Sequence, residues 1–493
     1  MKKFIVKSFA LILSGLITLS LAGCGAKVEY ESYYEGGPDG GNTSVSSNAG
    51  NTSNGQTDNT GNKADTSSKI TKKVGGNVTD DTASSSASKT QKKSGKTTNM
   101  TPDQFLESMP ENLKGSTIKM FFWDDLRSTV YRTPLKKFEQ KTGIKVEIEI
   151  AEYTTYIATL AARISAGKSP DIVKMIENNI GNVSNLQPID NIGYDFNDKN
   201  WDKALMKLFT YNGRCYAFNV DKSPNKNVGI FTYNKKALKR ANMTKDDPYT
   251  IWKNNPKSWT WSKFWELCNK FVKANSGKEG YYGTTWGTED GYVKAFGVCL
   301  WRYDPDKGKV VNCSNTPEAV KRYGELIDSI NKKWSTSTAD STGFDSGKIL
   351  FAWGYSSTAE KNGVGGENLK KGNNLGFVPM PTDSTYTPLF TTSAYGVPIG
   401  AKNGGAVPYL VRYLFSPESI NEDDFYYNEE SKNVVTSVIN KNNFYFGNGY
   451  HYQVWQDMIK GTGANVKSVL DSYQGMINDT VSLANESMKK LNK

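Results

Sequence analysis

Aromatic and acidic residues stand side by side directly after an apolar run near residue 120. Trp123, Asp124 and Asp125 follow the apolar run at 118–122. Carboxylates accept hydrogen bonds from hydroxyl groups, and a flat indole ring covers a face of C–H groups. A sugar ring offers both kinds of surface, so these three residues are candidates for binding a carbohydrate. The alternative is that they form a solvated turn.

A second polar group and one further ring follow two other apolar runs. Glu177, Asn178 and Asn179 come shortly after a run that begins at Ile172, and Tyr153 follows the run at 144–150. Carboxylate and amide groups hydrogen-bond sugar hydroxyls. Two alternatives stay open, because Asn also caps helix N-termini and because Tyr153 also suits a surface loop.

Aromatic residues are concentrated in the part of the chain after residue 100, which holds all eleven Trp and 54 of the 59 aromatic residues. A core needs Phe and Leu more than Trp, whose indole N–H must find a partner when it is buried. Trp286 and Trp301 follow short apolar runs, and Tyr395 precedes a glycine. These rings are predicted to line a ligand site, with packing in the core as the alternative for each.

The residue inventory excludes several kinds of chemistry. Among 493 residues there is one His, His451, and the five Cys include no C-x-x-C pair. A zinc site with several His or four thiolates is therefore not expected, and no metal or other cofactor is predicted. The formal net charge of +11 is mild for this length and forms no basic stripe, so no nucleic-acid partner is expected.

The spacing of apolar residues predicts that strands and helices alternate. Strands are predicted at 118–122, at 144–150 and from 171 onwards, with helices at 128–142 and 155–166 between them. This order indicates right-handed crossovers and a parallel sheet in an α/β fold. Ligands of such sheets bind at the carboxyl ends of the strands, which is where the first two groups of candidates lie.

The N-terminal sequence predicts an export signal followed by a tether. Three Lys precede an apolar run at 9–21, which is shorter than the ~18 residues that a spanning helix needs. The segment 21–24 (LAGC) resembles the bacterial lipobox, which implies cleavage before Cys24 and a lipid on its sulfur; the alternative is an ordinary signal peptide. Ser, Thr, Asn and Gly make up 37 of the 60 residues at 41–100, so this stretch is predicted to be a disordered tether.

Eight short segments, in this order, resemble the extracellular solute-binding proteins of carbohydrate ABC importers (family 1, maltose-binding-protein-like). They are 138–146 (FEQKTGIKV), 165–172 (SAGKSPDI), 186–190 (LQPID), 212–216 (NGRCY), 232–235 (TYNK), 259–264 (WTWSKF), 376–381 (GFVPMP) and 409–417 (YLVRYLFSP). Each is weak alone, but together they extend over most of the chain after residue 100. One departure is Ser262-Lys263, which replaces an acidic pair that is usual in the family.

The resemblance implies a two-lobed, type II periplasmic-binding-protein-like fold with the ligand in a cleft between the lobes. The expected divisions are a signal peptide at 1–23, a lipidated Cys24 with a tether at 24–112, a first lobe at 113–227 and 382–446, and a second lobe at 228–381 and 447–493. The resemblance also points to Glu177, Asn178 and Asn179 as sugar-binding groups, to Trp353 as a stacking ring and to Trp455 as a late aromatic wall.

The resulting expectation is a lipid-anchored protein on the outer face of a bacterial cell membrane. It is expected to act as a monomer that captures a sugar, most readily an oligosaccharide, and delivers it to the permease subunits of an ABC importer. No covalent chemistry is expected, and the ATPase must be another chain because no Walker motif is present. Two alternatives stay open: a lipid-anchored glycoside hydrolase, and a ligand-sensing subunit of a receptor kinase.

Overall fold

The computed structural model describes residues 100–175, 180–226, 228–286, 291–363, 365–381, 393–439, 447–448, 451–461 and 465–489. The strands in chain order are β1 Thr117–Phe122, β2 Lys145–Ile150, β3 Ile172–Lys174, β4 Thr210–Tyr211, β5 Arg214–Cys215, β6 Gly229–Asn234, β7 Tyr282–Trp286, β8 Trp301–Asp304, β9 Lys309–Asn312, β10 Ile349–Tyr355, β11 Leu375–Pro379, β12 Tyr395–Gly396 and β13 Gly447–Asn448.

The helices run between these strands and continue to the C-terminal end of the described chain. They are α1 Pro102–Glu107, α2 Arg132–Thr142, α3 Tyr156–Ser165, α4 Lys203–Leu208, α5 Lys235–Arg240, α6 Pro248–Asn254, α7 Trp261–Ala274, α8 Gly291–Phe296, α9 Pro317–Asn331, α10 Ser341–Ser346, α11 Glu367–Lys371, α12 Val407–Phe415, α13 Glu422–Phe425, α14 Glu429–Val438, α15 Tyr452–Lys460, α16 Val466–Ser472 and α17 Gln474–Lys489.

The first lobe is built on a four-stranded sheet in the order β12-β3-β1-β2. β1 is parallel to both β2 and β3, which confirms the predicted parallel sheet, and β12 pairs antiparallel with β3. β2 lies at an edge, so its predicted alternation holds only at the start: Val146 is buried, whereas Ile150 is 45% exposed. The helix α12 packs on α1 and α2 of this lobe.

The second lobe is built on a sheet in the order β11-β6-β10-β7, accompanied by a three-stranded sheet in the order β13-β8-β9. β10 is parallel to β7, while β6 runs antiparallel to its neighbours β10 and β11. The chain enters this lobe through β6. The carboxyl ends of β10 and β11 therefore lie at the end of the sheet where the chain arrives from the first lobe.

Local sequence signals account for the helix ends of the first lobe. The side chain of Thr101 accepts a hydrogen bond from the Gln104 backbone N–H, and the Gln104 side chain bonds the Thr101 N–H in return, which is a capping box. Gly143 follows α2 with φ +68°, and Gly167 follows α3 at the same angle. Glycine adopts this left-handed conformation without the penalty that a Cβ would bring.

The segment 422–438 lies on the second lobe, whereas the sequence-based boundaries assign it to the first. α14 packs on β11, and the Glu430 carboxylate accepts a hydrogen bond from the Phe377 backbone N–H at 2.6 Å. Glu430 also pairs with Lys235 at the start of α5, at 2.6 Å. These contacts lie far apart along the chain, so the apolar spacing of α14 alone does not reveal which lobe it covers.

Among the described residues, the chain passes between the lobes at 216–226 and at 416–421. The first of these connections is held by Lys226, whose ammonium group pairs with the Asp202 carboxylate in the first lobe. The Lys226 carbonyl accepts a hydrogen bond from the Ser356 hydroxyl of the second lobe at 3.0 Å. Among the residues that the structure describes, no helix combines the length and the apolar character needed to cross a bilayer.

Candidate functional site

Three aromatic rings gather where the strands of the first lobe end. The Trp123 ring, just after β1, meets the rings of Tyr153 and Tyr156 edge-on, with centroid distances of 5.4 and 5.0 Å. The Tyr156 hydroxyl donates to the Phe121 carbonyl at 2.8 Å and accepts from the Lys174 backbone N–H at 3.0 Å. Tyr156 thus ties β1 to β3, and the partly buried Trp123 and Tyr153 lie against it.

An ion pair lies beside these rings. The Lys174 ammonium group, at the end of β3, is 3.1 Å from both carboxylate oxygens of Asp124 and 4.9 Å from the centroid of the Trp123 ring. The exposed fraction is 15% for the Lys174 side chain and 16% for the Asp124 side chain. An ammonium group over an indole face is attracted to it, so Lys174 orients both the carboxylate and the ring.

Asp125 forms a separate interaction with its own turn. Its carboxylate accepts hydrogen bonds from the Arg127 side chain at 2.8 Å and from the Arg127 backbone N–H at 2.9 Å. These bonds hold the pKa of Asp125 below its usual value. Asp125 therefore caps the turn that follows it. This role agrees with the alternative left open by the sequence, in which these residues form a turn.

The second lobe contributes one carboxylate to the same region. Glu360 follows β10 and a short turn, and its backbone pairs with Tyr426 in an isolated bridge. Burial raises the pKa of Glu360 to about 7, the ammonium groups of Lys370 and Lys174 oppose the rise, and Asp124 adds to it. Lys174 and Asp124 belong to the first lobe, so Glu360 is within electrostatic range of charged groups of the opposite lobe.

The hydroxyl group of Tyr131 completes this region. It is buried and makes no hydrogen bond to any residue that the structure describes, while the ring lies edge-on to Phe415 at 5.0 Å. Burial raises the pKa of Tyr131 well above its usual value, and the Glu360 carboxylate adds to the increase. An unpaired buried hydroxyl costs about 1–3 kcal/mol, so this group is suited to a hydrogen bond with a ligand or a water molecule. We call Trp123, Asp124, Tyr131, Lys174 and Glu360 the interlobe cluster.

Five of the predicted rings are instead buried in the cores of the lobes, with exposed fractions between 1 and 8%: Trp286, Trp301, Trp353, Tyr395 and Trp455. Trp286 donates to the Ser335 hydroxyl at 2.7 Å, and Trp455 donates to the Ser337 carbonyl at 3.4 Å. Tyr395 stacks on Phe415 at 4.9 Å. Packing, the alternative left open by the sequence, accounts for these positions, so their contact with a ligand stays a prediction. Glu177, Asn178, Asn179 and Cys24 lie outside the described residues.

Three members of the interlobe cluster were not predicted from the sequence. Lys174 ends the third strand, three residues before the predicted Glu177, so its position alone was a usable signal. Tyr131 and Glu360 carried no such signal. Tyr131 lies in the helix predicted at 128–142, where its apolar spacing indicates packing, and Glu360 follows a short turn of the other lobe. Within the described ranges, no three His, Cys, Asp or Glu side chains gather closely enough to hold a metal ion.

Titration of Glu360 is expected to make stability depend on pH. The usual pKa of Glu is 4.5, and burial raises it to about 7 in the folded protein. Between these values the folded state keeps a proton that the unfolded chain has released, so the free energy of unfolding falls as pH rises through this window. The loss amounts to at most about 3 kcal/mol. Urea unfolding at pH 5 and pH 8 measures it.

Replacing Glu360 with Gln is expected to remove this pH dependence and to stabilise the protein above pH 7. The groups that interact electrostatically with the Glu360 carboxyl remain in the variant: Lys174, Asp124, Lys370, Tyr131 and Tyr426. Glu107→Gln, at an exposed position of α1, is the matched control and should leave the dependence intact. If the Glu360→Gln variant loses as much stability between pH 5 and pH 8 as the unmodified protein, the pH dependence comes from another group.

Comparison with known proteins agrees with this architecture. The model of the family of bacterial extracellular solute-binding proteins matches residues 135–425. The extracellular solute-binding protein from Staphylococcus aureus, solved with maltose, aligns with 17% identity and a TM-score of 0.53 over 75% of this chain and 98% of its own. The cyclic α-maltosyl-1,6-maltose binding protein from Arthrobacter globiformis aligns with 13% identity and a TM-score of 0.50 over 76% and 98%.

A third solved structure, which holds mannotriose, aligns with 14% identity and a TM-score of 0.52 over 73% of this chain and 100% of its own. No curated protein matches this chain in sequence. At such low identities the structural similarity establishes the two-lobed fold, while the family match extends over more than half of the chain. The chain therefore belongs to the family of bacterial extracellular solute-binding proteins.

Proposed function

We propose that this protein captures a carbohydrate, most readily an oligosaccharide, and delivers it to the permease subunits of an ABC importer. The interlobe cluster is the observation that carries the proposal, because it combines an aromatic face with hydrogen-bonding groups from both lobes. Membership in the extracellular solute-binding family favours this function over a hydrolase or a sensor subunit. Three solved proteins of the same fold bind maltose, mannotriose or cyclic α-maltosyl-1,6-maltose.

The chemistry of the cluster suits a neutral, hydroxyl-rich ligand. The Trp123 ring offers an apolar face for C–H groups, while the Asp124 carboxylate accepts hydrogen bonds from hydroxyls. Lys174 is a donor, and the unpaired hydroxyl of Tyr131 acts as donor or acceptor. Tyr153 extends the aromatic wall beside Trp123.

A ligand that touches both lobes would stabilise the closed arrangement. Asp124 and Lys174 belong to the first lobe, and Glu360 belongs to the second. A ligand shifts a conformational equilibrium only by its difference in affinity for the two states, and contacts to both lobes supply such a difference. Closure about the connections at 216–226 and 416–421 would be a hinge motion.

Export and anchoring are part of the proposal. Family membership indicates an extracellular or periplasmic location, and the segment LAGC at 21–24 supports a lipid on Cys24. The predicted tether ends too late at residue 112, because α1 and its buried Phe105 and Leu106 pack in the first lobe. The stretch from 24 to 99 would then be the spacer between the lipid and the lobes. The ligand would leave unaltered, with transport energy supplied by an ATPase on another chain.

Replacing Trp123 with Ala is expected to weaken sugar binding about 10-fold or more, since stacking and burial of one ring supply roughly 1.5–3 kcal/mol. Thermal-shift screening identifies the ligand from a panel of maltotriose, mannotriose, a tripeptide and spermidine, because ligands raise the melting temperature by mass action. Isothermal titration calorimetry with the best sugar then measures the change in Kd for the variant.

Trp252→Ala is the matched control, because Trp252 is also half-buried but lies on α6 of the second lobe and contacts Tyr249. It should bind the sugar as the unmodified protein does. A panel in which spermidine or the tripeptide raises the melting temperature and no sugar does would reject the carbohydrate proposal. Release of shorter saccharides from maltotriose or mannotriose would instead favour the hydrolase.

A further inference from the structure

Two cysteines meet at the open end of the hairpin formed by β8 and β9. Cys299 comes just before β8 and Cys313 just after β9, while the strands pair Trp301 with Asn312. The Cys313 backbone N–H donates to the Leu300 carbonyl at 2.9 Å, which extends the ladder by one step. Cys299 is buried, and Cys313 packs against it in a small cluster separate from the main core. Each thiol shifts the pKa of the other.

The other cysteines that the structure describes have different surroundings. Cys268 is buried in α7, with Gly283 of β7 next to its Cβ. The Cys215 thiol, in β5, donates to the carbonyls of Ala217 and Met206 at 3.2 and 3.5 Å. Of these four residues, Cys299 and Cys313 are therefore the pair whose positions suit a covalent bond.

We propose that Cys299 and Cys313 form a reversible disulfide, which makes this hairpin a redox-sensitive element of the second lobe. Disulfides persist in proteins outside the cytoplasm, and the family of this chain is extracellular. The oxidant would be a disulfide of the glutathione type or of a thiol–disulfide oxidoreductase. This inference does not depend on which ligand the protein binds.

The two thiols have different roles in the exchange. The hydrogen bond from Cys299 and the nearby Arg302 guanidinium lower the pKa of Cys313, and the same hydrogen bond and burial raise the pKa of Cys299. Cys313 is also the more exposed of the two, so its thiolate attacks the oxidant and forms a mixed disulfide. Cys299 then loses its proton and displaces the oxidant's second sulfur. In total, two S–H bonds of the protein and the S–S bond of the oxidant are broken, and one S–S bond forms between Cys299 and Cys313. The oxidant leaves as two thiols, which carry the two electrons and two protons.

The bond would fasten a hairpin that contacts the first lobe. The Tyr303 hydroxyl, in β8, donates to the Thr210 carbonyl of β4 at 2.8 Å, and Asp306 in the hairpin turn pairs with Lys207 of α4 at 2.6 Å. The opposite side of the hairpin holds α17 through Asn485, which bonds both backbone groups of Val310. Oxidation is therefore expected to stiffen the element through which the second lobe meets the first near β4.

The test compares the full chain after treatment with glutathione disulfide and after treatment with dithiothreitol. Free thiols are alkylated under denaturing conditions, and peptide mapping by mass spectrometry assigns each cysteine. Oxidised protein is expected to give a linked peptide pair with Cys299 and Cys313, and a melting temperature higher by about 5 °C than that of reduced protein. Cys268→Ser should retain both effects.

Cys313→Ser should abolish the linked peptide and the shift in melting temperature, and it keeps a side chain of nearly the same size. Alkylation of both cysteines after oxidation would overturn the proposal, as would linkage of either one to a different cysteine. A linked pair that leaves the melting temperature unchanged would overturn the claim that the bond stiffens the hairpin. Sugar binding is measured separately, so failure of the carbohydrate proposal is distinguishable from failure of this one.

Discussion

Replacing Trp353 with Ala is expected to lower the free energy of unfolding by about 3–5 kcal/mol, because it removes a fully packed ring. The side chain is 2% exposed and its indole N–H points at the Met380 sulfur, 3.3 Å away. Two glycines make room for the ring: a Cβ on Gly291 would lie 2.5 Å from it, and one on Gly229 would lie 3.0 Å from it. Neither glycine can fill the cavity that the alanine leaves.

Urea unfolding measures this effect, and Trp252→Ala is the control. Trp252 is half-buried on α6, so its loss should cost only about 1–2 kcal/mol. A Trp353→Ala variant that is as stable as the unmodified protein but no longer binds its ligand would contradict this packing role. That outcome would support the stacking role that the family resemblance implied for Trp353.

Replacing Lys226 with Met is expected to destabilise the protein by about 3–5 kcal/mol, because it leaves a buried carboxylate without its counter-ion. Lys226 and Asp202 are 1 and 3% exposed. Asp202 also caps α4 by accepting a hydrogen bond from the Leu205 backbone N–H at 3.0 Å. The pair therefore joins the start of a first-lobe helix to the connection that leads into the second lobe.

A double variant separates the buried charge from the loss of packing. Asp202→Asn combined with Lys226→Met keeps a capping oxygen and removes both charges, so it should be more stable than Lys226→Met alone. Lys207→Met is the surface control: this Lys lies on α4, the helix that Asp202 caps, and its pair with Asp306 is 61 and 79% exposed. Its loss should cost under about 1 kcal/mol. Equal losses at Lys226 and Lys207 would show that burial of the pair has no energetic consequence.

Part of the candidate site was predictable, because several of its first-lobe residues follow strands of the predicted parallel sheet. Trp123, Asp124 and Tyr153 follow β1 and β2, and the carboxyl ends of parallel strands share one edge of a sheet. Lys174 was predictable in the same way from the end of β3. Glu360 was not, since it follows a short turn of the other lobe and its relation to Asp124 exists only once the lobes are packed. Tyr131 was not either, because its spacing within the predicted helix at 128–142 indicates packing.

The amino-acid sequence alone indicated the strands and helices of the first lobe, its parallel sheet, the helix caps and the family. These features depend mainly on residues that are close together in sequence. Thr101 and Gly143, for example, are recognisable from a few neighbours. The tertiary structure decided which rings remain accessible, which lobe α14 covers and which charges face each other. Trp123 and Trp353 both lie at or near the end of a strand, yet one is partly exposed and the other is enclosed by Gly229 and Gly291. Burial depends on what distant segments bring to a residue, and its local sequence does not contain that information.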